Sequence, residues 1–245
     1  MKQLICFICC ATLLCIYSSC DLFTDCIRPE GTIETQTVEL DEIDAFEIFG
    51  AFELIIKEGE SQEIKITGHP NVIEALLEDS KIEEGTWDVG IKKCIANWRK
   101  KDLTIEATIP NLQRISVTGS ADISTDGIFK NIDILALNIE GTGNMDLQLG
   151  DNIEKIGTQI LGSGNVSLSG NSINSSIDID GSGDINYFNL TTKSSTIKIL
   201  GSGNCEVTAT NLLDIKISGS GDLCFKGNPT ISSNISGSGK VNDCN

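Results

Sequence analysis

Three aspartates come closest to a catalytic set in this 245-residue chain. Asp122, Asp184 and Asp222 each stand three residues after a glycine, in the tetrapeptides GSAD, GSGD and GSGD. Two carboxylates can share the acid and base work of glycan cleavage when they sit roughly 5–10 Å apart. The same position holds Asn144, Asn165 and Asn204 in three further copies and Lys240 in a last one. An amide has no proton to exchange in that chemistry. Catalysis would therefore use two copies, whereas a corner geometry accounts for all seven. No Lys or Arg stands in phase beside Asp184 and Asp222 to hold an acidic sugar, so no catalytic residue is assigned.

The other reactive types are equally short of partners. GSGN and GSGD lack the third glycine of a dinucleotide loop and the Lys-Ser/Thr ending of a phosphate loop. Calcium prefers several carboxylates, and the corner position is amide in three copies. His69 is the only histidine. It sits beside Pro70 in an expected turn, which leaves a histidine-based triad or zinc site without its other members. No cofactor and no metal site is expected. One basic and aromatic cluster remains: Trp87, Lys92, Lys93, Trp98 and Arg99, with Lys100 and Lys101 following. It reads either as a docking patch, since Trp and Arg favour interfaces, or as a cap that buries Trp87 and leaves Lys stems along a wet face.

The elements that must position these residues follow from the repeat. Corner glycines start at Gly119, Gly141, Gly162, Gly181, Gly201, Gly219 and Gly237, spaced 22, 21, 19, 20, 18 and 18 residues apart. The complete corners are Gly141-Gly143-Asn144, Gly162-Gly164-Asn165, Gly181-Gly183-Asp184, Gly201-Gly203-Asn204 and Gly219-Gly221-Asp222. Two residues before each first glycine stands a β-branched apolar residue: Val117, Ile139, Ile160, Ile179, Ile199, Ile217 or Ile235. Apolar and polar residues alternate on both sides of the corner, the signature of half-buried strands. A repeat of about 20 residues is too short for a strand-helix-strand unit, which needs about 30. The expected fold is therefore all-β: a parallel β-helix, or β-solenoid, whose coils stack about 4.8 Å apart. The corner amides Asn144, Asn165 and Asn204 would then stack into a side-chain ladder, and Ser167, Asn186 and Glu206 would line an outward row.

Residues 113–245 carry the regular coils, and residues 31–112 carry fainter copies. Phe46 and Ile48 precede Gly50, Leu54 and Ile56 follow it, and Ile64 and Ile66 precede Gly68. Segment 71–80 (NVIEALLEDS) admits a short helix with Asn71 as its N-cap. This first part is expected to form irregular capping coils. At the far end, Ser233, Lys240 and Asp243 replace apolar or corner residues and should blunt the open edge.

The N-terminus reads as a 1–19 export signal: Lys2, then an apolar run from Leu4 to Tyr17 that is short for a membrane span. Ser18-Ser19-Cys20 resembles a lipobox, which makes Cys20 the acylated first residue and 20–30 an anchored linker; plain signal cleavage is the alternative. Export permits disulfides. Cys26–Cys94 and Cys224–Cys244 are the expected pairs, with Cys205 a buried free thiol. The balance of 18 Lys and Arg against 35 Asp and Glu, −17 overall, repels nucleic acid and anionic membrane.

The in-phase GSG[ND] corners, the segment FEIFGAFELIIKEGESQEIKITGHPNVIEALL and the segment DLTIEATIPNLQRISVTGS together resemble the auto-transporter adhesin head (GIN) domain family of bacterial surface proteins. The resemblance covers roughly residues 30–240. It implies a right-handed coil and an adhesin role, and it brings no catalytic residues. The reading is an outer-membrane lipoprotein at the cell surface. It would touch the membrane only through its anchor, and bind glycan or extracellular protein without catalysis. A structural spacer of the envelope is the alternative, and a polysaccharide-active β-helix enzyme a lesser one.

Overall fold

The computed structural model describes residues 26–245. The expected export signal, Cys20 and the expected linker up to residue 25 lie outside the described residues. The chain runs through β1 (Glu34–Val38), β2 (Ala45–Gly50), β3 (Glu53–Glu58) and β4 (Glu63–Gly68), then helix α1 (Pro70–Asp79), β5 (Lys81–Glu83), β6 (Thr86–Gly90) and β7 (Thr104–Ile109). From there it is all strand: β8 (Arg114–Gly119), β9 (Asp122–Thr125), β10 (Ile134–Gly141), β11 (Asn144–Gln148), β12 (Ile153–Gly162), β13 (Asn165–Gly181), β14 (Ile185–Gly201), β15 (Cys205–Gly219), β16 (Leu223–Lys226), β17 (Thr230–Gly237) and β18 (Val241–Asp243).

These strands form a β-solenoid of about six turns. Strands before the corner stack in parallel in the order β6, β2, β8, β10, β12, and then the later halves of β13, β14 and β15, ending at β17. Strands after the corner stack as β7, β3, β9, β11, the early halves of β13, β14 and β15, and then β16 and β18. Pairing is in register, so Gly50, Gly119, Gly141, Gly162, Gly181, Gly201, Gly219 and Gly237 stand in one line.

The two glycines of a corner have different jobs. Gly162 holds φ +133°, and a Cβ there would lie 2.5 Å from the carbonyl oxygen of Gly141. Positive φ and a stacked backbone both exclude a side chain. Gly164 has no such φ; its Cβ would meet the Gly143 carbonyl oxygen at 2.5 Å and, in addition, Ile139 Cγ2 at 2.6 Å. The second glycine thus makes room both for the stacked backbone and for the isoleucine of the coil before. At the equivalent place the early coils hold Ala121 and Phe52, both buried.

Inside, Ile48, Val117, Ile139, Ile160, Ile179, Ile199 and Ile217 form one dry row, each no more than 2% exposed. Where Thr158 enters the core, its hydroxyl pairs with the buried Tyr187 hydroxyl at 2.5 Å, as a buried polar group must.

The first part differs from a simple succession of coils. The β6–β7 layer, later in sequence, lies on the outer side of the β2–β3 layer. Gly68 is not a corner: β4 runs antiparallel to both β7 and β1 and closes that end. The expected helix forms over Pro70–Asp79, but its N-cap is His69 and not Asn71. Pro70 fits the first helical position, where its missing N–H costs nothing, and the Asn71 amide instead donates to the Arg28 carbonyl oxygen at 2.8 Å. His69 Nδ1 lies 3.0 Å from the Gly31 carbonyl oxygen.

The structure joins Cys26 to Cys94 and Cys224 to Cys244, and leaves Cys205 buried and free. Burial pushes the Cys205 thiol well up from its ordinary range, with Glu206 and Asp184 adding to the shift. A thiol held protonated and shielded is a poor nucleophile. Alkylation of the native protein at pH 8 is expected to leave all five cysteines of the described residues unlabelled, and denaturation without reductant to expose the Cys205 thiol alone among them. Labelling of Cys205 in the native state would contradict its place in the core.

Candidate functional site

Each corner residue after the second glycine reaches toward the next coil, and together they form a continuous side-chain line. Lys100 Nζ and Asn144 Nδ2 both donate to Asp122 Oδ1, at 2.9 and 2.8 Å. Asn165 Nδ2 donates to Asn144 Oδ1 at 2.9 Å. Asn165 Oδ1 then accepts the Asp184 amide at 3.2 Å, and Asp184 Oδ1 accepts the Asn204 amide at 2.8 Å. Asn204 Oδ1 accepts the Asp222 amide at 3.1 Å, and Asp222 Oδ1 accepts the Lys240 amide at 2.8 Å. Asp122, Asp184 and Asp222 thus serve as corner acceptors. They are interspersed with amides in a mixed Asn/Asp ladder, in which only Asn144 and Asn165 make the amide-to-amide step the sequence suggested.

One step further from the corner runs the outward row Ile55, Ser124, Asp146, Ser167, Asn186, Glu206, held in register by strand pairing. Between it and the corner line lies a groove of about 570 Å³. Glu53, Asp122 and Asp184 stand on the corner side, Asp146 and Asn186 on the other, and the Ile55 side chain gives an apolar patch. Ser167 and Asn186, expected on a binding face, line this groove; Glu206 continues the row beyond it. Glu53, Ile55 and Asp146 are further members that sequence reasoning missed. Ile55 carried a signal: it is a half-exposed apolar residue at a position that is polar in later coils.

The basic cluster divides. Trp87 does not belong to a surface patch, because strand β6 turns it inward, fully buried, with its ring centroid 6.4 Å from that of Phe46. Trp98 is half-buried, and its Nε1 donates to the Ala51 carbonyl oxygen at 2.6 Å. It borders a second, apolar hollow of about 330 Å³ with Phe49, Ile91, Lys93 and Ile95. Lys92, Lys93 and Arg99 are exposed around it. Among the described residues, no three His, Cys, Asp or Glu side chains converge as a metal site would need.

The family model described as "Putative auto-transporter adhesin, head GIN domain" matches residues 42–229. No curated protein matches the chain. Among solved structures, a putative adhesin from Bacteroides fragilis NCTC 9343 superposes with TM-score 0.79 at 24% identity, covering 89% of this chain and 100% of that one. A protein described as a putative lipid binding protein, from Parabacteroides distasonis ATCC 8503, gives 0.71 at 22%, covering 89% and 99%. A putative adhesin from Parabacteroides merdae ATCC 43184 gives 0.70 at 21%, with the same coverage. At these identities the likeness is one of fold.

Proposed function

We propose, from the premise that this chain belongs to the auto-transporter adhesin head GIN domain family, that it is a surface adhesin head that binds an extended glycan or protein along its outward row and carries out no reaction on it. The observation that supports this is the in-register row Ser124, Asp146, Ser167, Asn186, Glu206 beside a 570 Å³ groove. Stacked coils present one hydrogen-bonding group about every 4.8 Å on a stiff frame, and a preorganised surface loses little freedom on binding. In this reading the protein is exported, acylated at Cys20 and held at the outer membrane.

Soluble protein on an array of glycans and extracellular-matrix proteins, with analysis of any products, tests the proposal. Saturable binding without cleavage is expected. Changing Ser167, Asn186 and Glu206 together to Lys should weaken it at least about tenfold, the loss of two or three hydrogen bonds worth about 0.5–1.5 kcal/mol each. Binding that survives the triple change would remove the row from the site. Silence across the array would favour a spacer role, and cleaved product would overturn the non-catalytic reading.

A further inference from the structure

The corner between β6 and β7 is not a glycine pair but the insertion 91–103, which folds back along the corner edge. Trp98 reaches Ala51 in the neighbouring layer, and Lys100 reaches Asp122 one layer beyond that. Residues 92–101 hold five of the chain's 18 Lys and Arg and no Asp or Glu. Of these, Lys100 is paired with Asp122 at 2.9 Å, and Lys92 lies 3.7 Å from Asp79. Lys93, Arg99 and Lys101 are exposed, and no ion pair engages their side chains among the described residues. Near them sit Ile91, Ile95 and the half-buried Trp98 around the 330 Å³ hollow.

This insertion is also where the N-terminal segment is fastened. Cys26 is disulfide-bonded to Cys94, the Ile27 amide donates to the Cys94 carbonyl oxygen at 2.8 Å, and the Ala96 amide donates to the Ile27 carbonyl oxygen at 2.8 Å. Arg28 follows directly. Cys26 stands only six residues after Cys20, and six residue steps span at most about 20 Å. Any anchor at Cys20 therefore holds this corner, and not the far end of the solenoid, against the membrane.

We propose that the 91–103 insertion is the membrane-facing surface of the protein, with Lys93, Arg99 and Lys101 docking on lipid phosphates and Trp98 at headgroup level. Basic side chains near an anionic surface gain about 1 kcal/mol each, and Trp favours the boundary between headgroups and acyl chains. The charge of the remaining chain is strongly negative, which pushes the rest of the solenoid away from the same surface. Docking at one end and repulsion along the rest would set the rod upright, with the groove's later coils outermost. The tether rests on the lipoprotein reading; the surface itself does not.

The test uses residues 21–245, which contain the whole described fold, without an acyl chain. At low salt they are expected to float with vesicles of phosphatidylcholine and phosphatidylglycerol, and not with pure phosphatidylcholine, and to release as salt is raised. Lys93→Glu, Arg99→Glu and Lys101→Glu together should weaken this at least about a hundredfold. Brominated phosphatidylglycerol should quench fluorescence that Trp98→Phe removes. Reversal of the exposed Lys155, Lys193 and Lys216, on other parts of the solenoid, should change little. No phosphatidylglycerol-dependent binding, or equal losses from the two triple reversals, would overturn the proposal. Mass spectrometry of Cys20 from the native host decides the tether separately.

Discussion

Gly181→Ala is expected to lower stability by roughly 4 kcal/mol, about 1–3 from backbone strain and about 1–3 from overpacking. Gly181 sits mid-stack at φ +142°, and an added Cβ would lie 3.0 Å from the Gly162 carbonyl carbon and closer still to its oxygen. Neither atom can retreat, because the Gly162 carbonyl oxygen accepts the Ser182 amide at 2.8 Å and its own chain is stacked on the coil before. The control is Gly157→Ala, in β12, where φ is ordinary and nothing lies within 4 Å of the new Cβ. There the lost chain entropy of the unfolded state should make the change neutral or stabilising by up to about 1 kcal/mol. Urea unfolding of the two variants, followed by circular dichroism, reads the contrast. Equal midpoints would mean that the glycine line is not required for stacking.

That glycine line was legible because it is local and repeated. Positive φ, a β-branched residue two places earlier and alternation on either side occur together in each coil, and the pairing register reproduces the alignment of Gly119 with Gly141, Gly162, Gly181, Gly201, Gly219 and Gly237. The order of the first layers was not legible. Nothing within β6 says that it will pack outside β2; that depends on Trp87 meeting Phe46 across 40 residues of intervening chain. Gly68 misled for a related reason. Its flanking Ile64 and Ile66 alternate like a coil strand, yet alternation is common to parallel and antiparallel pairing, and β4 takes the antiparallel option.

The groove was half legible. Ser167 and Asn186 come from the regular coils, where counting from the corner fixes which side chains point out. Glu53 and Ile55 come from a layer whose neighbours in space, β7 and β9, lie about 50 and 70 residues away in sequence. The burial of Trp87 was available in principle: Thr86-Trp87-Asp88-Val89 alternates, which places Trp87 on the same face as the apolar Val89. Its neighbourhood of lysines lies beyond the end of that strand and carries no information about which way it points.

The second large effect concerns a single row read from its middle to its end. Ile199 and Ile235 occupy the same position two coils apart, joined through Ile217. Ile199 is fully buried between coils and packs over the next corner, where a Cβ on Gly221 would come within 2.9 Å of its Cγ2. Ile199→Ala should cost about 3 kcal/mol, because a cavity between two stacked coils cannot collapse without breaking register. Ile235 is 41% exposed, and its strand β17 pairs only with β15 and is exposed along its whole length. Its methyl groups are already half in water, so Ile235→Ala should cost less than about 1 kcal/mol. Chemical unfolding of both variants tests this gradient. The polar Ser233 and Asp243 in that last coil reduce what a further strand could bury, which is how an edge resists extension. If Ile235→Ala instead cost as much as Ile199→Ala, the last coil would be covered in solution, and the solenoid would continue into a partner at that end.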